Sequence, residues 1–483
     1  ALAMCAREHD RRFFRRGVRA DVTVLTSIPL GEDELPGNKK LAEELSHLGE
    51  IGSLLNPSED EIDELKAATV SCSDDLFASA TKTKLERAAA ICEKLSRRFT
   101  CVVANPPYMG SSSFNPFMSK WVKKNYPDVK SDLFSSFIVR IMDFAGEHGE
   151  IGMMTPFVWM FIGSYEKLRN GLIDDKTLTT LVQLEYSGFA GATVPICTFT
   201  YHNSHIDGYK GGYVRLADFT GPAVQAPKAL EAIQNPDCGW FYRRDAETFK
   251  KIPGAPIAYW LGQGARLSFK EGTPLSVISS LAQGLKCGDT DLFVRCWFEC
   301  SNRDVLGVTG DPSRAKWHFM LDGGDYRKWS GNQIDVVNWL DDGHEIKTNR
   351  DKNGKAKARV QNERFYHKNG VLTWSALTSG PISVRNCSDN SICGGAGYYI
   401  VPIKQEDRLF ILGLLNSSTA QYIKLALSQT FNNEVGDLKR IPVHGIDSSN
   451  EEVLELVQKS LQASEFDWDS FETSWDFKRH PLV

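Results

Sequence analysis

The chain has 483 residues, with 56 basic and 61 acidic side chains and a net charge of -5. That length accommodates two to four domains with sizeable cores, and that charge excludes a molecule that is cationic as a whole, so any contact with nucleic acid has to come from local patches. Eleven cysteines scattered over so long a chain indicate reduced thiols and a cytoplasmic location, their tightest pair, Cys296 and Cys300, has no second pair at zinc-site spacing, and no apolar run is long enough for a membrane span.

The first residues lack methionine and lack the basic region, apolar core and cleavage site of a secretory leader. In residues 1–16, small apolar residues alternate with Arg7, Arg11, Arg12, Arg15 and Arg16, which predicts a helix packed on one side and wet on the other. Val22 to Leu25 predicts a short buried strand, and residues 38–49 and 59–96 carry Glu, Leu, Lys and Ala at helical spacing. Between those helices, Ile51-Gly52-Ser53-Leu54-Leu55 is a compact apolar turn, open to two readings: a segment lying beside a cofactor, or a simple connection.

A further strand, containing Phe99, Cys101, Val102 and Val103, stops abruptly at Ala104-Asn105-Pro106-Pro107-Tyr108. Each proline fixes φ and removes a backbone donor, so the loop is stiff, and an asparagine before proline is held away from helical geometry. Its side-chain carbonyl and the adjacent backbone carbonyls can then converge on one planar NH₂ group, with an aromatic face at position 108 for a base to stack on. That arrangement suits methylation of an exocyclic amine; taken alone, the four residues equally describe a strand-ending turn.

Ser131-Asp132-Leu133-Phe134 opens a helix whose apolar positions, through Ile141 and Met142, repeat near 3.6 residues. Ile151 to Thr155 predicts a buried strand ended by Pro156, Ser164 to Leu172 a helix, and Leu181 to Leu184 and Ile196 to Tyr201 two strands joined by the glycine-rich turn Ser187 to Gly191. This alternation is that of an open α/β sheet, in which ligands sit beyond the carboxyl ends of strands, where Asn105 stands.

From about residue 205 the texture changes to Gly, Trp, Tyr and short mixed segments, with no long helical period until about 406. Lys347, Arg350, Lys352, Lys355, Lys357 and Arg359 stand against the single acid Asp351, six basic residues to one, which fits either a solvated loop or a hold on a phosphate backbone. Tyr326, Trp329, Trp339 and Trp374 read as core of a small domain, Gly394 to Gly397 as a hairpin turn, and Leu409 to Leu415 as a helix followed by a fresh cap at Asn416-Ser417-Ser418. Trp475-Asp476-Phe477 runs into His480-Pro481 without winding down, so an internal piece of a longer protein is expected.

The succession of Asn105-Pro106-Pro107-Tyr108-Met109-Gly110, Lys130-Ser131-Asp132-Leu133-Phe134 and Gly152-Met153-Met154-Thr155-Pro156 resembles the adenine-specific (N6) DNA methyltransferases, and within them the PglX family of BREX phage-defence systems. The likeness continues in Tyr326 to Asn332, Val337-Asn338-Trp339, Ile382 to Arg385 and Trp468 to Phe477, and so covers nearly the whole chain. It implies an α/β fold, part of a Rossmann-like class I methyltransferase sheet followed by a mixed α/β target-recognition domain. Residues 1–205 would be the catalytic core without its N-terminal cofactor-binding half, 206–274 a connector, 275–445 the target-recognition domain and 446–483 the start of a truncated helical region.

By the same resemblance, S-adenosylmethionine is the methyl donor and double-stranded DNA the substrate, from which an adenine is flipped out of the stack. Asn105 and the Pro106 carbonyl would hold its amino group, Tyr108 would stack on the ring, Pro107 and Phe189 would border it, and Asp132, Ser53 and Leu54 would lie by the cofactor. The basic residues from Lys347 to Arg359 would hold DNA, other defence-system proteins are possible partners, and no metal or membrane is implied. The glycine-rich loop and the acid that grip the cofactor in this family would precede residue 1, so this piece alone is expected to bind the cofactor poorly. Gly284 to Thr290 departs from the family's pattern. Other substrates that fit the loop are RNA adenine and protein glutamine, and the other class of function is a DNA-binding specificity module without catalysis.

Overall fold

The computed structural model describes the chain apart from residues 1–6, 9, 18–20, 32, 36, 73–75, 190–193, 307–313, 361–365, 368, 379, 388–389, 430–431, 447–449 and 483. Two compact units emerge, one of residues 1–157 and 171–243, the other of 158–170 and 244–483.

In the first unit, α1 (Lys39–Ser46) starts at Asn38, whose side chain accepts from the Leu41 amide, and α2 (Glu59–Ser71) starts in a reciprocal capping box between Ser58 and Glu61. Helix α3 (Leu76–Ser96) leads into β1 (Phe99–Ala104). Helices α4 (Pro116–Asn125) and α5 (Leu133–Phe144) precede β2 (Ala145–Pro156), and α6 (Glu166–Asp175), which enters this unit at Gly171, precedes β3 (Thr177–Gln183). Strands β4 (Ile196–His202) and β5 (Lys210–Arg215), helix α7 (Pro222–Gln234) and strand β6 (Phe241–Asp245) complete a six-stranded sheet of order β1-β2-β4-β3-β5-β6. β1 and β2 run parallel with Ala104 beside Met153, β4 lies antiparallel to both β2 and β3, and β3 and β5 are parallel. The α/β expectation therefore holds.

Leu133, Phe134, Ile138 and Ile141 of α5 are buried, as are Ile151 and Met153 of β2 and Phe199 and Tyr201 of β4. β1 is different. It ends the sheet, none of its six residues is fully buried, and Val103 is 77% exposed.

Several expectations need correction. Val22 to Leu25 forms no strand: Val22 and Val24 are exposed, and the segment is tied to α3 through side chains, Lys94 Nζ donating to Asp21 Oδ1 (2.6 Å) and Thr23 Oγ1 (3.0 Å). Of residues 1–16, 1–6 and 9 lie outside the described residues; Arg7 and Glu8 are helical, and Phe13–Arg16 forms a separate 3-10 turn. Of the stretch read as a connector, 206–274, residues 206–243 fall in the first unit, where β5 and β6 extend the sheet with α7 between them in sequence, and 244–274 fall in the second. Helix α7 escapes notice because Pro222 and Pro227 break its helical signature, although proline is well suited to a first turn. The turn between β3 and β4 reaches residues 190–191, which lie outside the described residues.

The second unit contains α8 (Gln263–Glu271), β7 (Ser279–Ala282), β8 (Val294–Cys296), β9 (Trp317–Leu321), β10 (Asp335–Asn338) and α9 (Leu340–Thr348). These are followed by β11 (Tyr366–His367), β12 (Val371–Ser375), β13 (Val384–Cys387), β14 (Ser391–Cys393) and β15 (Gly397–Pro402), then α10 (Arg408–Asn416), α11 (Ser418–Leu427) and α12 (Glu451–Trp468). They form a five-stranded sheet, β11-β14-β9-β10-β8, and a four-stranded sheet, β13-β12-β15-β7. Leu285, Val337, Trp339, Ile346, Val371, Ile392 and Tyr399 share one core, and fully buried Trp374 donates its indole N–H to the Asn433 carbonyl (2.9 Å). The cap at Ser417 is present, its Oγ accepting from the Ala420 amide (3.1 Å).

Gly394 to Gly397 is not a hairpin turn, since β14 and β15 belong to different sheets. Glycine is required there for closeness: a Cβ on Gly397 would lie 1.8 Å from the Leu321 carbonyl oxygen. Tyr326 is 55% exposed and so is not core.

Candidate active site

Asn105 follows the last residue of β1, and the two prolines turn the chain across the end of the β1–β2 pair. Asn105, Pro106, Pro107 and Tyr108 line one side of an open cleft of about 660 Å³, and Met154, Phe189 and Ile196 line the rest. The structure thus gathers all five residues that sequence places at the target base: Asn105, Pro106 and Tyr108 together with Pro107 and Phe189.

The cleft is mostly apolar, and its polar groups are mainly acceptors. Tyr108 Oη lies 3.2 Å from Asn105 Oδ1 and 3.3 Å from the Met154 carbonyl oxygen, and its single proton serves one of them at a time. The tyrosine ring meets Phe134 of α5 edge to face (6.5 Å, 90°), and partial burial pushes the phenol up from its ordinary value, so the hydroxyl stays protonated at neutral pH. Met154 is a residue that sequence reasoning missed, yet parallel pairing of the two strands sets Met153 opposite Ala104 and brings the next residue beside Asn105.

Asp132 stands apart from the cleft lining. Its Oδ1 accepts from the amides of Met109 (3.1 Å) and Phe134 (3.2 Å), so it caps α5 and touches the loop at once. Burial raises its carboxyl above the usual aspartate range against the lowering effect of those amide donors.

Ser53 and Leu54 belong to a single 3-10 turn, and the carbonyls there are already engaged. Arg140, fully buried on α5, donates from Nε to the Ser53 carbonyl (3.1 Å) and from Nη2 to those of Leu55 (2.9 Å) and Leu95 (2.6 Å). Tyr126 Oη donates to the Leu54 carbonyl (2.8 Å). Desolvation lowers the Arg140 pKa, and the Phe144 ring lies 3.9 Å from its guanidinium carbon. Sequence patterning could not single out Arg140, because its neighbours Ile138 and Ile141 mark the same helix face as core. Ser53 and Leu54 are thus built into the fold, and neither lines the cleft at Asn105.

In the second unit the basic run is a small hairpin. Arg350 bridges to Ala356, and Arg359 pairs with Lys286. The turn is fixed by Asp351, whose Oδ1 accepts from the amides of Asn353 (2.8 Å) and Lys355 (2.9 Å), and by Gly354 at φ 76°. Not all six cations are equivalent. Lys347 pairs with Asp342 (2.5 Å), Lys357 faces Asp289 (3.7 Å), and Arg350 donates to the carbonyls of Lys347 (2.8 Å) and Asn349 (3.1 Å). Lys352 and Lys355 project at the exposed tip, with Arg359 exposed further along. Among the described residues no three His, Cys, Asp or Glu side chains form a group that could hold a metal ion, and no helix is long and apolar enough to cross a membrane.

Comparison with known proteins gives this geometry a context. Residues 39–189 match the Eco57I restriction-modification methylase family. The chain is 30% identical over 513 aligned residues to the adenine-specific methyltransferase PglX of Lacticaseibacillus casei (strain Zhang), covering 100% of this chain and 42% of that protein. It is 29% identical over 535 residues to the adenine-specific methyltransferase BrxX of Escherichia coli O9:H4 (strain HS), again covering 100% of this chain and 42% of the relative. Among solved structures, a nuclease-deletion mutant of the Type ISP restriction-modification enzyme LlaGI in complex with a DNA substrate mimic aligns with a TM-score of 0.49 at 12% identity, over 83% of this chain and 38% of the other. The chain spans less than half the length of the two curated relatives. Residues 39–189 are thus similar to the methylases of the Eco57I restriction-modification family, within a chain similar along its whole length to the adenine-specific methyltransferases PglX and BrxX.

Proposed function

We propose that this chain carries the target-base side of a site-specific DNA methyltransferase acting on N6 of an adenine flipped from the duplex, in a phage-defence or restriction-modification setting. The observation that carries this is the cleft in which Asn105 Oδ1 and the Met154 carbonyl face the Tyr108 hydroxyl. A planar amino group entering there would take the place of that hydroxyl as donor, with Asn105 Oδ1 and the Pro106 carbonyl accepting its two hydrogens. Acceptors on both hydrogens leave the nitrogen lone pair more available for attack, and the apolar walls strengthen those bonds by keeping water out. Tyr108 and Phe189 provide aromatic surface for the base, which has to leave the stack before its nitrogen is reachable.

S-adenosylmethionine is the donor implied by the resemblance, and when bound it supplies an electrophilic methyl group. Of the residues that the resemblance sets beside it, the Ser53 and Leu54 carbonyls and one Asp132 carboxylate oxygen already accept hydrogen bonds inside the protein and so serve the fold, and we assign none of the three a role in holding the donor. We assign duplex DNA to the second unit, with 275–445 as the recognising segment, 446–483 as a helical continuation, and the hairpin Arg350 to Arg359 on the phosphates.

Asn105→Ala in the protein as the cell makes it is the decisive variant. Genome-wide mapping of modified adenines is expected to show methylation down by about 10²–10³-fold, the cost typical of removing one preorganised polar group, with binding to DNA retained. Methylation at the wild-type level would remove the basis for the assignment.

A further inference from the structure

We propose that Asp132 is a positioning residue that clamps the far end of the Asn105–Tyr108 loop, and not a contact of the methyl donor; this rests on reading that loop as the target-base site. The loop is fixed at its start by β1, and its other end has to be fixed elsewhere if Asn105 and Tyr108 are to hold a base in register. Met109 is where that happens. Its N–H donates to Asp132 Oδ1 (3.1 Å), and its carbonyl accepts from the Leu133 amide (2.9 Å). Gly110 forms a β-bridge with Asp132, and the Ser111 amide donates to the Ser131 carbonyl (2.9 Å). Three successive residues after Tyr108 are therefore stitched to three at the start of α5.

The post to which they are stitched is firm. Leu133, Phe134, Ser135 and Ser136 of α5 are buried, and Ser135 Oγ lies 2.7 Å from both the Val129 and the Asp132 carbonyl oxygens. A residue serving only as helix cap needs the Phe134 bond alone. The second bond, from Met109, has no part in capping and links the post to the loop. Both bonds need an acceptor and neither needs a charge, so asparagine can make them, whereas alanine cannot. A carboxylate required for its charge, as one paired with a cationic group of the donor would be, would not tolerate asparagine in this way.

The test compares Asp132→Asn, Asp132→Ser and Asp132→Ala in the full protein by steady-state kinetics and by amide hydrogen exchange over residues 105–115. Asparagine is expected to keep kcat within about threefold of wild type, while alanine lowers kcat by about a hundredfold, the cost of misplacing reacting groups by about 1 Å, with KM for both substrates little changed. Serine still caps the helix, so its thermal unfolding should match wild type while the Met109 amide exchanges faster, as in the alanine variant. The proposal is overturned if asparagine is as impaired as alanine with a raised KM for the methyl donor, or if Met109 exchange is unchanged in the serine and alanine variants. Failure of the base-site reading is distinguishable, since Asn105→Ala would then methylate normally while the exchange result still decides the clamp.

Discussion

On the proposed reading, the hydroxyl of Tyr108, bonded to Asn105 Oδ1 or to the Met154 carbonyl, holds the place a substrate amine would take, and a base that enters would have to displace it. That hydrogen bond is in a half-open site, so its loss costs only about 0.5–1.5 kcal/mol, and the incoming amine restores it. Tyr108→Phe keeps the ring and removes the competitor. Its binding to DNA with 2-aminopurine at the target position, followed by fluorescence, is expected to equal wild type or exceed it by up to about tenfold. Tyr108→Ala removes the stacking face and is expected to weaken binding by about 1–3 kcal/mol, the usual worth of an aromatic on a base. Equal loss in both variants would mean that the hydroxyl, and not the ring, holds the substrate. Met154 was missed in the sequence because it contributes a backbone oxygen, which leaves no mark on residue identity.

Hairpin Arg350 to Arg359 shows how an element changes the meaning of its residues. Six cations in a short run look interchangeable in the sequence, yet Lys347 and Lys357 have acidic partners while Lys352 and Lys355 extend from the tip of a turn held by Asp351. Each phosphate contact contributes about 0.9 to the slope of log K against log salt, so Lys352→Ala with Lys355→Ala is expected to lower that slope by about 2 and weaken binding to all sequences alike. Lys347→Ala with Lys357→Ala should change it less, because those charges are already partly neutralised; measurement across a salt series separates the two. Elements built on local signals were legible: the α5 cap at Asp132, the strand before Asn105 and the Ser417 cap all follow from their own few residues. Those that failed depend on distant partners. Val22 to Leu25 has the composition of a strand and finds no ladder, and Gly394 to Gly397 resembles a turn because the Leu321 carbonyl that makes glycine necessary lies more than 70 residues earlier.

At the scale of the chain, two units were foreseeable from the change of texture near residue 205, but not their boundary. The sheet of the first unit is closed by β5 and β6, whose neighbours are set by pairing across the fold, and no local pattern says that Lys210 to Arg215 lies parallel to β3. The candidate cleft was largely readable because four of its residues are consecutive and its chemistry follows from their types. The remainder, Met154 and Ile196, came from strand register.

Strand β1, which delivers Asn105 to the cleft, has a further consequence that concerns the handling of the protein. It is an apolar strand of Phe99, Cys101, Val102 and Val103 with no charged residue or proline, its register against β2 is irregular only between Phe99 and Cys101, and no strand among the described residues pairs with the outer edge of the regular stretch from Cys101 to Ala104. Native edges are normally blunted by charge, proline or a bulge, and an edge left apolar is a template for another chain. A preparation of these 483 residues is therefore expected to associate with rising concentration in light scattering. Val103→Lys, at a position 77% exposed, should suppress that association while shifting stability by no more than about 0.5 kcal/mol; association undiminished by the lysine would locate the sticky surface elsewhere. The strand that presents the Asn105 loop is on this view also the chain's main solubility liability, and a single edge charge is the remedy to try first.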